Sequence, residues 1–307
     1  MPGRLLLLDT ASLYYRAFFG LPDTLKAPDG TVVNAVRGLV DFVATLVNRE
    51  GAEAVVACWD DDWRPAWRVE LVPTYKTQRL ADGSSDAEQT PDDLSPQVPL
   101  IAEALTLLGI PVVGAPDAEA DDVIGTLVDR WDGPVDVVTG DRDLFQLVDD
   151  AAAHRVLYTA RGVSKLDEVD EAWIREKYDI DAARYVDYAV LRGDASDGLP
   201  GVAGIGEKTA AALLGAFGDL DGILAAAQDP STAITPRPRR SLVEQADYVA
   251  AARQVVAVRR DLDLPEVAPL PRLTSGQVEE FREFATTWGL GGAADRVLTA
   301  LQAESEL

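Results

Sequence analysis

Residues 118–143 read A-E-A-D-D-V-I-G-T-L-V-D-R-W-D-G-P-V-D-V-V-T-G-D-R-D, and this stretch decides the predicted fold. Its first half has a helical pattern, for which Asp117 is the predicted N-cap. The short apolar run at 135–138 is typical of a buried strand. Acidic residues open the helix and follow the strand: Glu119, Asp121, Asp122, Asp141 and Asp143. If helix and strand pack together, these carboxylates converge, and a hard divalent cation such as Mg²⁺ or Mn²⁺ relieves their repulsion. A solvated acidic face is the alternative for each residue taken alone.

Other apolar runs predict a parallel α/β sheet. Residues 4–8, 54–59 and 110–113 are further predicted strands, separated by helical patterns. The first two run into Asp9 and Asp60, as 135–138 runs towards an aspartate. A single aspartate in such a place is more often a turn or cap residue. Because ligands of open parallel sheets bind beyond the carboxyl ends of the strands, the repeated pattern predicts a metal site at that edge.

The segment from 74 to 99 has little apolar periodicity and is too long for an ordinary connection. Tyr75, Lys76 and Arg79 stand at its beginning. One interpretation is an exposed basic turn. The functional interpretation is a clamp that holds a phosphate over the acidic site, since cations there would bind a polyanion.

A second acidic group and a glycine-rich element follow. Asp194 and Asp197 lie three residues apart and can face the same way. Three glycines then precede a helix predicted to begin near Glu207: Gly201, Gly204 and Gly206. Glu207 interrupts the likeness to a Walker A loop before Lys208, and no strand precedes it, so we exclude nucleoside triphosphate binding. Glycines before a helix let backbone N–H groups approach a phosphate, which predicts a sequence-independent grip on DNA.

The composition limits the class of protein. The chain has 307 residues with 47% hydrophobic residues, enough for one large or two modest globular domains. A net charge of −24 argues against a nucleic-acid partner, but bound cations would cancel part of it locally, and arginines cluster near 64–79 and 237–260. The single Cys58 excludes a disulfide framework and is predicted to be a buried thiol, and the only histidine, His154, is predicted to be structural. With no signal peptide or membrane span predicted, we expect a cytoplasmic monomer.

Taken together, several segments resemble the bacterial and phage 5′-nuclease family, which includes the 5′-exonuclease domain of DNA polymerase I and the flap endonucleases. They occur in family order over about residues 4–220. The matching segments are LLLLDTASLYYRAFF, VPTYKTQR, EADDVIGTL, VVTGDRDLFQLV and GDASDGLPGVAGIGEKTA. Since no polymerase follows, we expect the stand-alone form. The resemblance implies a PIN-like parallel-sheet domain over 1–183 with a helical arch at about 74–100. It also implies a C-terminal helical domain over 184–307 that contains a helix–three-turn–helix motif.

The resemblance also implies roles for residues. Lys76, Arg79 and Arg16 are the implied catalytic residues. One metal group comprises Asp9, Asp60, Glu119, Asp121 and Asp141, with Asp122 serving it or bridging to a second group of Asp143, Asp194 and Asp197. Implied substrate-binding residues are Tyr75, Gly201, Gly204, Gly206, Lys208 and Thr209, and a K⁺ ion is implied at the backbone of Val202 and Ile205. The run Asp60-Asp61-Asp62 leaves open which of the three is the ligand.

We therefore expect a divalent-metal-dependent 5′-3′ exonuclease and flap endonuclease. It would hydrolyse phosphodiesters at 5′ ends of flapped, nicked or gapped duplex DNA in replication and repair, such as Okazaki-fragment processing, with RNA-primed DNA an open substrate. One alternative is a PIN-type ribonuclease, which lacks the 201–209 element and the second acidic group. Another is a non-catalytic structure-specific DNA-binding protein, against which the retained carboxylates argue. An aspartate phosphatase requires D-x-D, but Ala11 stands two residues after Asp9.

Overall fold

A computed structural model describes residues 2–303 of the chain. Its strands form one sheet in the order β3-β2-β1-β4-β5-β6, in which β1 to β5 are parallel and β6 is antiparallel to β5. The strands are β1 Leu5–Asp9, β2 Ala54–Cys58, β3 Val112–Val113, β4 Val135–Thr139, β5 His154–Tyr158 and β6 Asp167–Val169. The predicted parallel α/β sheet is confirmed. We did not predict β5 and β6, because charged residues interrupt their short apolar runs.

Helices cover both faces of the sheet. Along β1, Leu5 and Leu7 pack in one apolar core and Leu6 and Leu8 in the other, as the two-residue period of a strand requires. The helices before the glycine-rich element are α1 Thr10–Gly20, α2 Asn34–Glu50, α3 Ala66–Leu71, α4 Gln97–Leu107, α5 Ala120–Arg130, α6 Glu171–Tyr178 and α7 Tyr185–Arg192. Those after it are α8 Glu207–Phe217, α9 Leu220–Gln228, α10 Pro236–Glu244, α11 Ala246–Val256, α12 Ser275–Thr287 and α13 Gly292–Ala303.

The C-terminal helices α12 and α13 pack against α4 and α2. Phe281 and Leu290 lie in the same apolar core as Leu39 and Leu46 of α2. Each such side chain, when fully buried, stabilises the fold by about 1.5–3 kcal/mol. Helix α13 is buried against α2, and the predicted extent of the second domain, 184–307, stays a prediction.

The predicted helical arch at about 74–100 contains no α-helix before α4 begins at Gln97. Between residues 74 and 96 the chain forms one 3₁₀ turn, Thr77–Arg79, and then reverses so that Leu80 and Glu88 pair as an isolated bridge. The Ser84 hydroxyl accepts the N–H groups of Asp86 and Ala87, a local arrangement that competes with a helix. The segment lies over the sheet edge as a folded loop.

Among residues 2–303, no single helix is long and apolar enough to cross a membrane, and only α8 and α9 taken together, with a bend of 86°, reach that length and hydropathy.

Candidate active site

A cavity of about 420 Å³ opens at the carboxyl ends of β1 and β4. The chain leaves these neighbouring strands in opposite directions along the sheet, which makes this position the topological switch point where ligands of α/β sheets bind. Carboxylates and cations line it: Asp9, Asp60, Lys76, Arg79, Glu88, Glu119, Asp121, Asp141 and Arg142. The structure thus brings together all five residues of the first predicted metal group.

Backbone and hydroxyl donors hold these carboxylates in place. Asp9 ends β1 and caps α1: its Oδ1 accepts the Ser12 N–H at 3.2 Å, and its Oδ2 accepts the Thr139 hydroxyl at 2.5 Å. The Oδ1 of Asp60 accepts the N–H of Ala120 at 2.8 Å, whereas its neighbour Asp62 caps a local turn. Of the three consecutive aspartates, Asp60 is the one that lines the cavity.

Glu119 is surrounded by donors. It is the N-cap of α5 and forms a capping box with Asp122. The prediction of Asp117 as the N-cap is therefore wrong. The Tyr75 hydroxyl donates to its carboxylate at 2.8 Å, and Lys76 Nζ forms an ion pair with it. Lys76 has a φ of 50°, a left-handed conformation that costs a non-glycine residue about 1 kcal/mol or more. Its N–H donates to the carbonyl of Asp197 at 2.9 Å, which fixes this strained residue beside the cavity.

The crowded carboxylates repel one another. Burial, and then the neighbouring Asp60 and Asp141, raise the pKa of Asp9 to about 7. Burial, followed by Asp141 and Asp9, raises the pKa of Asp121 well above its ordinary value. The site therefore favours a ligand that supplies positive charge.

The second predicted acidic group flanks this cavity. Asp143 is 8% exposed, its Oδ1 has no hydrogen-bond partner, and burial together with Asp141, Asp197 and Asp194 raises its pKa. Asp197 Oδ1 lies 2.7 Å from Arg79 Nη2. Asp194 caps the turn that contains Asp197, and hydrogen bonds from Ser196 offset its burial and lower its pKa. Arginines also hold the carboxylate of Asp194: Arg142 at 3.1 Å and Arg192 at 3.0 Å.

Two predicted site residues are held by neighbouring side chains. Asp122 is fully buried and does not line the cavity, and Arg68 donates to both of its oxygens at 2.7 and 2.8 Å; its assignment as a metal ligand stays a prediction. Tyr75 is 4% exposed with its hydroxyl bound to Glu119, so it supports the site from beneath and does not face a substrate.

Arg16 lies beside the cavity and not in it. Its Nη1 donates to the Ala160 carbonyl at 3.1 Å, its Nε is buried without a partner, and it lines a neighbouring cavity that shares Ser12 and Tyr15 with the first. Its catalytic role stays a prediction.

The glycine-rich loop between α7 and α8 has an inner and an outer part. Gly201 is buried with a φ of 68°, and its N–H donates to the Tyr248 hydroxyl at 2.9 Å, so its role is structural. Gly204, Gly206 and Lys208 are exposed, and Thr209 is half-buried. Val202 and Ile205 are buried, and the carbonyl of Val202 already accepts the Ile205 N–H at 2.9 Å. The K⁺ site predicted there stays a prediction.

Sequence reasoning missed some residues that line the cavity. Glu88 reaches it from the loop, and Arg142 stands between two predicted ligands, Asp141 and Asp143. The position of Arg142 in the motif was an available signal, whereas that of Glu88 depends on the fold of the loop. In the described part of the chain, no three His, Cys, Asp or Glu side chains already form a group that could hold a metal ion. Lys76 and Arg79 hold two of the carboxylates instead.

Comparisons with known proteins cover the chain almost completely. Residues 4–179 match the family model described as the 5′-3′ exonuclease N-terminal resolvase-like domain, and residues 180–276 match its C-terminal SAM fold. A 5′-3′ exonuclease of Streptomyces coelicolor is 56% identical over 97% of this chain and 100% of its own length. One from Mycobacterium tuberculosis is 45% identical, with 98% of both chains covered.

Solved structures share the fold at low identity. The 5′-exonuclease of bacteriophage T5 with bound zinc has a TM-score of 0.64 at 16% identity and covers 99% of this chain and 100% of its own. The catalytic core of Rad2 with DNA substrate has a TM-score of 0.59 at 18% identity, covering 97% and 91%.

Proposed function

The chain belongs to the 5′-3′ exonuclease family, and from this premise we propose that it is a divalent-metal-dependent, structure-specific 5′ nuclease. Its reaction is the hydrolysis of phosphodiester bonds near the 5′ ends of flapped, nicked or gapped duplex DNA. The observation that carries this proposal is the cavity at the switch point, where the five carboxylates of the first predicted metal group meet cationic side chains that include Lys76 and Arg79.

The residues present fit divalent cations. Their donors are all carboxylate oxygens, which hard cations such as Mg²⁺ and Mn²⁺ prefer. The unpartnered buried Oδ1 of Asp143 and the raised pKa of Asp9 both indicate missing positive charge. The residues that would hold the cations are Asp9, Asp60, Glu119, Asp121 and Asp141, with Asp143, Asp194 and Asp197 as the second group. Bound there, such cations would polarise the phosphate and lower the pKa of water at the site.

The chain itself supplies charge and orientation. Lys76 and Arg79 lie where they can bind the non-bridging oxygens of a phosphate and stabilise the charge that develops during cleavage. Lys76 is paired with Glu119 and Arg79 with Asp197. When substrate binds, a phosphate would replace the carboxylate as the partner of each side chain. Cys58 is fully buried, and His154 is the first residue of β5, so it lies at the amino ends of the strands, away from the cavity. Neither residue serves as a nucleophile or a base in the cavity.

A duplex partner is supported by the second domain. The exposed Gly204, Gly206 and Lys208 lie at the beginning of α8, where backbone N–H groups and a cation suit a DNA phosphate. The Rad2 core, which shares this fold, was solved with DNA substrate, and the T5 exonuclease with divalent zinc. Binding through phosphates without base contacts gives a preference for DNA shape and not for sequence.

The test is cleavage of 5′-end-labelled flap, nicked and gapped duplexes in Mg²⁺, in Mn²⁺ and in EDTA, with single-stranded RNA as a parallel substrate. We expect metal-dependent products with a 5′ phosphate and a 3′ hydroxyl from the branched DNA. Preferential cleavage of RNA would support the PIN-type ribonuclease. Tight flap binding without cleavage in either metal would support the non-catalytic DNA-binding protein.

A further inference from the structure

The guanidinium of Arg68 lies between the acidic cavity and helix α11. Arg68 belongs to α3 and is 2% exposed. Its Nη1 and Nη2 donate to Asp122 at 2.8 and 2.7 Å, and Nη1 lies 3.3 Å from Glu119 Oε1. Its Nε donates to the carbonyl of Val255 at the end of α11, at 3.1 Å. One side chain therefore joins three elements, and the planar fork of arginine makes these contacts possible.

Asp122 extends the same network to the backbone. Its Oδ2 accepts the N–H of Glu119 at 3.2 Å, which closes the capping box of α5. Its Oδ1 accepts the N–H of Arg259 at 2.9 Å, just beyond α11. Gly125 leaves room for this contact, because a Cβ at that position would lie 2.7 Å from the Arg259 carbonyl. Arg68 and Asp122 thus fix both the carboxylate and the backbone of Glu119.

The opposite end of α11 contacts the glycine-rich loop. The Tyr248 hydroxyl accepts the N–H of Gly201 at 2.9 Å, and the Gln245 side chain accepts that of Ala203 at 2.8 Å. At about 1.5 Å per residue, the 11 residues of α11 span roughly 16 Å between the two sets of contacts. The helix therefore connects the loop proposed to bind duplex DNA with the residues that hold Glu119.

We propose that Arg68 is a positioning residue for Glu119, and that together with Asp122 it fixes this carboxylate relative to helix α11 and the duplex-binding loop. The inference rests on the proposed nuclease function. The competing explanation is that the pair only stabilises the fold, as a buried ion pair does when the loss of one partner leaves the other charge unpaired. The two explanations differ in what happens to turnover when stability is restored.

The test compares Arg68→Met with Arg155→Met in cleavage of a labelled 5′ flap. Arg155 is the control, because it also makes two hydrogen bonds to a fully buried aspartate, Asp136, at the amino ends of the strands, although Asp136 keeps Arg4 as a second partner. We expect Arg68→Met to lower kcat by about 10- to 100-fold, since misplacement of a catalytic group by about 1 Å has that effect. Its Kd for flap DNA, measured by fluorescence anisotropy in EDTA, is expected to stay within about threefold of the wild type. Arg155→Met is expected to change both values by less than about threefold. Equal loss of kcat in the two variants would overturn the proposal.

Two further variants separate positioning from folding. Arg68→Met with Asp122→Asn removes both charges, and its melting temperature is expected to recover relative to Arg68→Met alone, while kcat stays low. Recovery of kcat together with stability would assign the pair a purely structural role and overturn the proposal. Arg68→Lys keeps the charge but not the fork, so it is expected to fold and to lose turnover partially. If the wild type cleaves no 5′ end, the proposed function fails. If the wild type cleaves and Arg68→Lys matches it, this inference alone fails.

Discussion

Lys76 and Glu119 form an ion pair within the cavity, and their side chains are only 9% and 3% exposed. Lys76 reaches this position in a left-handed conformation, held by a backbone hydrogen bond to Asp197. When a substrate binds, a phosphate oxygen can replace the Glu119 carboxylate as the partner of Lys76.

Replacement of Lys76 by alanine is expected to slow flap cleavage by about 10²–10³-fold, because the charge that develops on the phosphate loses its nearest cation. Single-turnover cleavage of a labelled flap measures the effect. Lys177→Ala is the control, since Lys177 is exposed on α6 and does not line the cavity. Divalent cations are expected to bind the Lys76→Ala variant still, as titration calorimetry would show. Near wild-type turnover would remove Lys76 from the catalytic machinery.

The double variant Asp141→Asn with Asp143→Asn is expected to bind flap DNA but not to cut it. The two residues belong to the two proposed metal groups, and Asp141 Oδ1 accepts the N–H of Asp143 at 2.9 Å, so both substitutions act at one turn. Each removes a negative charge that a cation needs and leaves the size of the side chain unchanged. Gel-shift and cleavage assays in Mg²⁺ and in Mn²⁺ distinguish binding from catalysis. Full cleavage by this variant in either metal would contradict the proposed metal site.

The sequence predicted the sheet and most of the cavity because each signal was local. Asp9 and Asp141 follow apolar runs, and the carboxyl ends of parallel strands meet at one edge. The side chain of Asp122 could not be assigned in this way. Neighbouring residues on a helix face different directions, and the partner of Asp122 is Arg68, 54 residues away in sequence. Only the packing of α3 and α11 on α5 shows that Arg68 and the Arg259 N–H bind the Asp122 carboxylate.

The family resemblance also predicted the wrong conformation for the loop after Arg79. A family element predicts where the chain passes but not its local hydrogen bonds, and here the Ser84 hydroxyl accepts the N–H groups of Asp86 and Ala87. The position of α13 on α2 could not be foreseen either, because an amphipathic helix does not indicate which apolar surface it covers.

Replacement by alanine is expected to lower stability at one glycine of the duplex-binding loop and to leave it unchanged at another. A Cβ at Gly201 would lie 2.5 Å from the Arg192 carbonyl, and its φ is 68°, so Gly201→Ala is expected to lower stability by about 1–3 kcal/mol. Gly206 has a φ of −104° and nothing within 4 Å of a built Cβ, so Gly206→Ala is expected to keep its melting temperature. Thermal unfolding compares the two variants. If the outer part of the loop binds DNA, Gly206→Ala weakens flap binding while stability is unchanged.

Lys208→Ala is expected to weaken DNA binding of all sequences to a similar extent. Lys208 is exposed at the beginning of α8, so its proposed contact is with a phosphate. Loss of one phosphate contact lowers the slope of log Kd against log salt concentration by about 1. Anisotropy titrations over a range of salt concentrations measure that slope, with Lys177→Ala as the matched control. An unchanged slope would place the duplex elsewhere.

In the absence of divalent cations, stability is expected to fall as the pH rises from about 4 to about 7. Burial and the neighbouring Asp60 and Asp141 raise the pKa of Asp9 from 3.8 to about 7. Between these values the folded state keeps a proton that the unfolded state has released, so a rising pH favours unfolding. The melting temperature in EDTA is therefore expected to be lower at pH 8 than at pH 5.

Asp9→Asn tests whether this residue is responsible. The variant cannot ionise at position 9, so its melting temperature in EDTA is expected to fall less between pH 5 and pH 8 than that of the wild type. The exposed Asp92→Asn variant is the control and is expected to behave as the wild type does. Mn²⁺ added at pH 8 is expected to stabilise the wild type, because a cation that binds the folded state alone favours it, and to stabilise Asp9→Asn less. An equal fall in all three proteins, together with equal stabilisation by Mn²⁺, would show that the charge of Asp9 neither opposes folding nor holds a cation.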